Sequence, residues 1–504
     1  MKFRKKEQKH LGPVIALLIL IIVVGVVSLI FSLFEIQGQR TEINNGVLET
    51  TLVTVNNAIS KDGIKYIISN AVSNLQLFEP LILLIISLIG YGIGEASGFF
   101  KAIFSPLKNS HPWLITFVLL FISIIFSFFG EYSFVIILPA AGLLYKYIGR
   151  RPMLGILTAF IGITIGYGTG LVPSIDEYLL GELTQAAAIV DVDKNYTYNA
   201  FSTIYLLLAS TVILTISGTY IIENILAPRV PKTKIDEDEL IVSKKALRAT
   251  YILSFIIMLA IGYMIIPGLP GSGLLLGQCD SYIVRLFGPD SPFRSGLICM
   301  ILVINMLCGY AYGYLSRNIK NSSEYSVGMS KNFEKLGYVF VLMFFAAQVI
   351  GLLEWTNIGE VLALNLVDFM GTLEFSGIPL LIFMFFAIIL IGILIPSLST
   401  KWILASPTLV PLFMRSNITP DFTQFVFRVA DGISKSFSPF FMYFIILIAF
   451  LEKYNENDKY KVTITGTIKL IAPVIGIFIL IWLFIILGWY LIGFPTGIGT
   501  YPTL

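Results

Sequence analysis

The segment Ile395-Pro-Ser-Leu-Ser-Thr-Lys-Trp402 divides an apolar run at 377–396 from a second one at 402–415. A proline, three hydroxyls and a lysine cannot continue a lipid-facing helix, because free backbone groups and an ammonium are costly in hydrocarbon. A pair of apolar runs broken at such a tip reads as a helical hairpin that enters the membrane and turns back. An earlier pair, 113–129 and 132–147, is parted only by Gly130-Glu131 and followed by Lys146 and Gly149-Arg150-Arg151-Pro152. Both its flanks are basic, so a re-entrant hairpin from the cytoplasm fits as well as two full spans. The Lys and Arg distribution places the entry of the later pair on the outer side. Two interrupted pairs entering from opposite faces, each followed by a span with a polar break, point to an inverted repeat with a midplane site.

Working outward, further spans are expected at about 13–34, 79–97, 153–173, 201–225, 249–267, 293–315, 335–353, 436–451 and 465–492. The chain of 504 residues is 56% hydrophobic with a mean hydropathy of +0.85, an excess that a water-soluble core cannot hide. No hydrophilic stretch exceeds roughly 40 residues, too short for a separate catalytic or DNA-binding domain. The expected fold class is therefore an all-α polytopic membrane protein: about nine transmembrane helices plus two opposed re-entrant hairpins, the plan of an inverted-repeat secondary transporter. The division is a single domain over 1–504, with a first span at 13–34 and a first repeat at 79–225 holding hairpin 113–147. Linking spans follow at 249–315, then a second repeat at 335–492 holding hairpin 377–415. Lys2, Arg4, Lys5, Lys6 and Lys9 precede the first apolar run, and no small-residue cleavage site follows Phe31 or Phe34. The expectation is a retained first helix with a cytoplasmic N-terminus, the C-terminus lying outside. Basic residues at 228–248, including Arg229, Lys232 and Lys234, and the charged stretch 452–461 belong inside by the same rule.

Ionisable residues at membrane depth each ask for a reason. The densest set is Phe427-Arg428-Val-Ala-Asp431-Gly-Ile-Ser-Lys435-Ser-Phe-Ser-Pro439. On a helix Arg428, Asp431 and Lys435 share one face, while Gly432 and Pro439 favour a break. Either Asp431 only neutralises its neighbours, or two cations against one anion leave positive charge for a substrate carboxylate. At the later hairpin tip, Ser399 and its neighbours supply oxygen ligands and Trp402 a flat surface, although an interface anchor with a snorkelling Lys401 has the same composition. Gly166-Tyr-Gly168-Thr-Gly170-Leu-Val-Pro173-Ser174-Ile-Asp176 is expected to end a span at a polar helix break, with Asp176 either in the site or in solvent. Gly90, Gly92, Gly94 and Gly98 around Glu95 read as close helix packing. Cys279, Cys299 and Cys308 fit no ligand or disulfide pattern, and His10 and His111 have no partners for metal or nucleophilic work.

Together these motifs resemble the AbgT family of aminobenzoyl-glutamate and antimetabolite transporters over nearly the whole chain. The matching stretches are Gly90-Tyr-Gly-Ile-Gly-Glu-Ala-Ser-Gly98, Ile148-Gly-Arg-Arg-Pro152, Ser174-Ile-Asp-Glu-Tyr-Leu-Leu180 with Leu183-Thr-Gln-Ala-Ala187, Ala227-Pro-Arg229, Phe344-Phe-Ala-Ala-Gln348, Lys401-Trp402, and Arg428 with Asp431 through Pro439. The resemblance implies a homodimer, and uptake of p-aminobenzoyl-glutamate or cation-driven export of sulfonamide-type drugs. It also places Asp176, Trp402, Pro420, Arg428, Asp431 and Pro439 at the family's functional positions, with Ser399 at the matching tip. Two positions depart from the family pattern: the first tip reads Ser127-Phe-Phe-Gly-Glu131, and Lys435 stands where relatives carry Asn. An ammonium there is expected to take over part of a cation site, weakening sodium dependence or shifting coupling toward protons.

The expected function is thus cation-coupled, alternating-access transport of a small organic anion in a bacterial cytoplasmic membrane, with sodium ions or protons as the coupling ion. No cofactor and no nucleic-acid partner are expected, and the bilayer is the surrounding partner. A carrier of other anions, such as dicarboxylates, amino acids or peptides, remains the alternative. A membrane enzyme would need a cluster of His or carboxylates on one membrane face, which the sequence lacks. A channel would show repeated filter residues, whereas the two tips differ.

Overall fold

A computed structural model describes residues 12–44, 47–232, 240–279, 281–288, 290–333, 336–455 and 460–504. The basic N-terminal stretch from Lys2 to Lys9, Lys234, and residues 456–459 of the charged stretch 452–461 lie outside the described residues. The chain begins with α1 (Pro13–Leu33), the strands β1 (Gln37–Asn44) and β2 (Val47–Thr54), and the short helices α2 (Lys61–Ser69) and α3 (Ala71–Gln76). Next come α4 (Glu79–Ala96), α5 (Phe99–Phe104), α6 (Pro112–Phe126), α7 (Tyr132–Tyr147), α8 (Pro152–Ile165), α9 (Ile175–Asp191) and α10 (Ile204–Ile221). The middle holds α11 (Lys244–Ile265), α12 (Tyr282–Phe287), α13 (Pro292–Ser316) and α14 (Ser322–Ser330). The last part is α15 (Gly337–Trp355), α16 (Ile358–Thr372), α17 (Gly377–Leu394), α18 (Leu398–Arg415), α19 (Pro420–Lys435), α20 (Met442–Lys453) and α21 (Ile464–Ile492).

Helix starts follow local chemistry. Proline sits at the first turn of α1, α6, α8, α13 and α19, where its missing N–H costs nothing and its φ suits the helix. Ser243, Ser291, Ser397, Thr419 and Thr463 cap α11, α13, α18, α19 and α21 by accepting a backbone N–H, which satisfies one orphan donor each.

Nine helices among the described residues are long and apolar enough to cross a membrane. The number equals the expectation, but the membership differs. The first legs of both hairpins, Pro112–Phe129 and Gly377–Leu394, qualify, whereas the spans expected at 153–173 and 436–451 are broken. Helix α8 with its closing 3-10 turn runs over Pro152–Gly168 and α20 has 12 residues, roughly 26 and 18 Å at 1.5 Å per residue, short of a hydrocarbon layer of roughly 30 Å. Each joins a second half-helix across a polar break. The order hairpin, broken helix, long helix therefore occurs twice: α6–α7, α8/α9, α10, and α17–α18, α19/α20, α21.

Between α1 and α2 the structure adds two strands to the expected all-α plan. β1 pairs antiparallel with β2, from Gln37 opposite Thr54 to Asn44 opposite Val47. A two-stranded ribbon is marginal alone. It lies on α16, where Asn365 Nδ2 donates to the Gln37 carbonyl at 3.0 Å and Arg40 pairs with Glu360 at 3.4 Å.

Two motifs distant in sequence meet at one end of the first hairpin. Arg150 grips both carboxylate oxygens of Glu223 at 2.8 and 2.9 Å, and Arg151 donates to the carbonyls of Ala227 and Val230 at 2.6 and 2.7 Å. The glycines of α4 pack as expected: a Cβ at Gly92 would lie 2.9 Å from the carbonyl oxygens of Gly328 and Met329, and one at Gly90 would lie 3.2 Å from Leu302 Cα. Cys308 is buried, while Cys279 and Cys299 are exposed thiols.

Helix α19 is the centre of the fold. All of its residues, from Pro420 to Lys435, are buried, enclosed by α8, α9, α17, α18 and α21. A Cβ at Gly432 would lie 2.7 Å from Tyr167 Cβ, so glycine lets the helix approach the end of α8. A helix buried all round must satisfy its polar side chains internally, and α19 carries Asp421, Gln424, Arg428, Asp431 and Lys435.

Candidate functional site

The break after α8 spans residues 169–174. Its polar lining is as expected: Ser127 Oγ of the first tip donates to the Gly166 carbonyl at 2.8 Å, and the Gly170 amide donates to Thr211 Oγ1 at 2.9 Å. The break after α19 is held the same way. Ser436 Oγ donates to Thr164 Oγ1 at 2.8 Å, and Ser438 Oγ donates to the Ile393 carbonyl at 2.7 Å. Hydroxyls thus replace the lost helical bonds where water is scarce.

Between the two tips and the two breaks lies a cavity of about 310 Å³, at the low end of the roughly 300–1,000 Å³ of small-molecule sites. The first tip contributes Gly130 and Glu131, the start of α9 Asp176, the second tip Ser397 and Ser399, and the end of α19 Lys435. Glu79, Arg294 and Glu354 complete the charged wall. Gly130 has φ +57°, a left-handed conformation that favours glycine, and brings the tip against Asp176: a Cβ there would sit 3.4 Å from Asp176 Oδ2.

Behind this wall one ion pair is sealed. Lys401 of α18 forms an ion pair with Asp431, both side chains having 0% exposure. Lys435 lies 3.3 Å from Asp431 and 3.7 Å from Glu131, with its ammonium 4.3 Å from the centre of the Tyr167 ring and 5.4 Å from that of Phe441. Arg428 pairs with Glu177 and donates to Ser174 Oγ at 2.7 Å. The expected surplus of positive charge on α19 is therefore absent: Glu177 takes Arg428, and Glu131 joins Asp431 at Lys435.

The structure brings Asp176, Ser399 and Lys435 into the cavity wall, sets Asp431, paired with Lys435, and Arg428, paired with Glu177, behind it, and places the other three elsewhere. Pro420 begins α19, roughly 22 Å along the helix axis from Lys435, and is a helix starter rather than a cavity residue. Pro439 lies within the second break, where it prevents the helix from continuing. Trp402 is fully buried behind the wall, its Nε1 donating to Thr184 Oγ1 at 2.9 Å and its ring 4.4 Å from that of Phe427. With 1% exposure at Lys401 and 0% at Trp402, the interface-anchor alternative is overturned. Nor does Trp402 offer a free stacking face, since Phe427 occupies it. Asp176 lines the cavity and is half-buried.

Sequence reasoning missed Glu177, the network joining Thr184, Gln424 and Tyr198, and the outer charges Glu79, Arg294 and Glu354. Gln424 Nε2 lies 3.0 Å from Glu177 Oε1 and 3.0 Å from Tyr198 Oη. The available signal was polar residues inside apolar segments, Gln424 above all.

Paired helical hairpins, broken helices and a charged cavity between them define the class: a multi-pass helical membrane transporter. Over residues 7–504 the chain matches the family model described as "AbgT putative transporter family". The chain belongs to this AbgT family. The p-aminobenzoyl-glutamate transport protein of Escherichia coli (strain K12) is 27% identical over 500 residues, covering 98% of this chain and 94% of its own. Two solved structures are similar at 24% identity and a TM-score of 0.49: the YdaH transporter of Alcanivorax borkumensis, over 97% of this chain and 100% of its own, and MtrF of Neisseria gonorrhoeae, over 98% of each.

Proposed function

We propose that the protein is a secondary transporter of p-aminobenzoyl-glutamate or a closely similar aromatic carboxylate, by alternating access across a bacterial cytoplasmic membrane. The observation that carries this reading is the cavity walled by both tips, the start of α9 and the second break and backed by the Lys401, Asp431 and Lys435 cluster. A charge cluster at membrane depth is expensive and marks a solute or ion path, and the named solute of the Escherichia coli relative is such a carboxylate. Sulfonamide-type antimetabolites share its aminobenzene ring and form the second solute class for the same cavity.

Within this reading the two hairpins belong to repeats at 79–225 and 335–492, supported by the twice-repeated element order. Lys401 and Lys435 supply built-in positive charge to Asp431 and Glu131, which favours proton over sodium coupling. The N-terminus is cytoplasmic and the C-terminus outside, with Arg150, Arg151 and Arg229 at the inner face by the positive-inside rule. The homodimer implied by the family belongs to the same proposal. Helix α11, whose buried residues are Ala246 and Thr250, offers an apolar face for a second copy or for lipid.

The test is accumulation of radiolabelled p-aminobenzoyl-glutamate in proteoliposomes under imposed proton or sodium gradients. Saturable accumulation driven by the proton gradient is expected, and dicarboxylates and sulfonamides should be assayed as competitors. No accumulation under either gradient would refute the reading.

A further inference from the structure

We propose that Arg294, in the first turn of α13, is the residue that receives the side-chain carboxylate of the transported glutamyl solute. The inference rests on the organic-anion reading above and deepens it by naming the anion-binding group. The cations nearest α19 are already engaged: Arg428 by Glu177 and Ser174, Lys401 by Asp431, and Lys435 by Asp431, Glu131 and two aromatic rings. Arg294 also lines the cavity, but its guanidinium makes one hydrogen bond, from Nη1 to the Phe287 carbonyl at 3.3 Å. Among the described residues no carboxylate lies within ion-pair distance of it. A guanidinium carries five N–H donors in a planar fork that fits a carboxylate, so four remain for a ligand.

The position of Arg294 is built rather than incidental. Ser291 caps α13 by accepting the Arg294 amide at 3.3 Å, and the carbonyl that holds the guanidinium belongs to Phe287, whose ring packs 4.8 Å from Phe128 at the first tip. The arginine is thus tied to the tip that must move if the cavity opens. The same lining carries Glu79, Glu131, Asp176 and Glu354, and of its two cations Lys435 is already paired, so a carboxylate entering this cavity has Arg294 as its open partner.

The experiment compares transport of p-aminobenzoyl-glutamate and p-aminobenzoyl-glutamine in proteoliposomes holding wild type, Arg294→Gln, Arg294→Lys, or the surface control Lys320→Gln. Wild type should prefer the glutamate compound. Arg294→Gln should raise its KM at least about tenfold, the scale of a lost charge-assisted bond, and abolish the preference while Vmax changes little. Arg294→Lys should fall between, which separates charge from folding should the Gln variant be unstable. An unaltered preference in both variants, with an active wild type, overturns the role of Arg294 alone. A wild type that moves neither compound overturns the organic-anion reading and this inference with it.

Discussion

The ammonium of Lys401 and the carboxylate of Asp431, on neighbouring helices α18 and α19, form an ion pair in which neither side chain has any exposure. Desolvating two charges is repaid only when their partners are complete, and here Lys435 supplies the second cation at 3.3 Å. The pair ties the second hairpin to the central helix directly behind the cavity wall.

Sodium response tests the role of Lys435. Uptake by wild type should be the same in sodium and choline buffers, whereas Lys435→Asn frees oxygens of Asp431 and Glu131 and should gain sodium dependence. Sodium-dependent wild-type uptake that is unaltered by the substitution would contradict the built-in cation.

The partnership of Arg428 and Glu177 can be separated from transport by stability. Arg428→Met strands a buried carboxylate and should cost about 3–5 kcal/mol, whereas Arg428→Met with Glu177→Leu should recover most of that loss. Thermal midpoints of the purified variants decide it, and a double variant as unstable as the two single losses combined would show that the charges do not act as a pair.

Trp402 should behave as a packing residue. Trp402→Phe removes the hydrogen bond to Thr184 and should cost about 1 kcal/mol, leaving the KM for the solute within about twofold because the ring lies outside the cavity. A tenfold rise in KM at full folding would place the indole in the binding site.

Glycine substitutions offer a matched contrast. Gly432→Ala would press a methyl group against Tyr167, at 2.7 Å in the unrelaxed backbone, whereas Gly476→Ala in α21 meets nothing within 4 Å. The first should lower the thermal midpoint and the second leave it unchanged or slightly raised, since alanine gains about 1 kcal/mol of helix propensity over glycine. Equal effects would argue against the close approach of α19 to the end of α8.

The hairpins and helix breaks were legible because prolines, glycines and charges interrupt apolar runs, and hydrocarbon punishes such interruptions wherever they occur. Partners were less so. Asp176 and Glu177 are adjacent, but successive side chains on a helix point about 100° apart, so the rotation of α9 decides that Glu177 meets Arg428 while Asp176 faces the cavity. Lys401 has the composition of a snorkelling residue; only the depth of the second tip, a tertiary property, seals it against Asp431. The face of Trp402 is taken by Phe427, a residue 25 positions later on another helix. Arg294 belongs to a linking span without any charge pattern, and only the folded chain brings it to the cavity.

The most direct measurement is counterflow of labelled p-aminobenzoyl-glutamate in proteoliposomes holding wild type or Asp431→Asn at equal, monodisperse incorporation. If the ion-paired centre between the hairpin tips is the transport site, wild type should exchange the solute saturably and Asp431→Asn should fall to the level of empty liposomes. Exchange by the variant at the wild-type rate and KM would place solute passage elsewhere in the molecule.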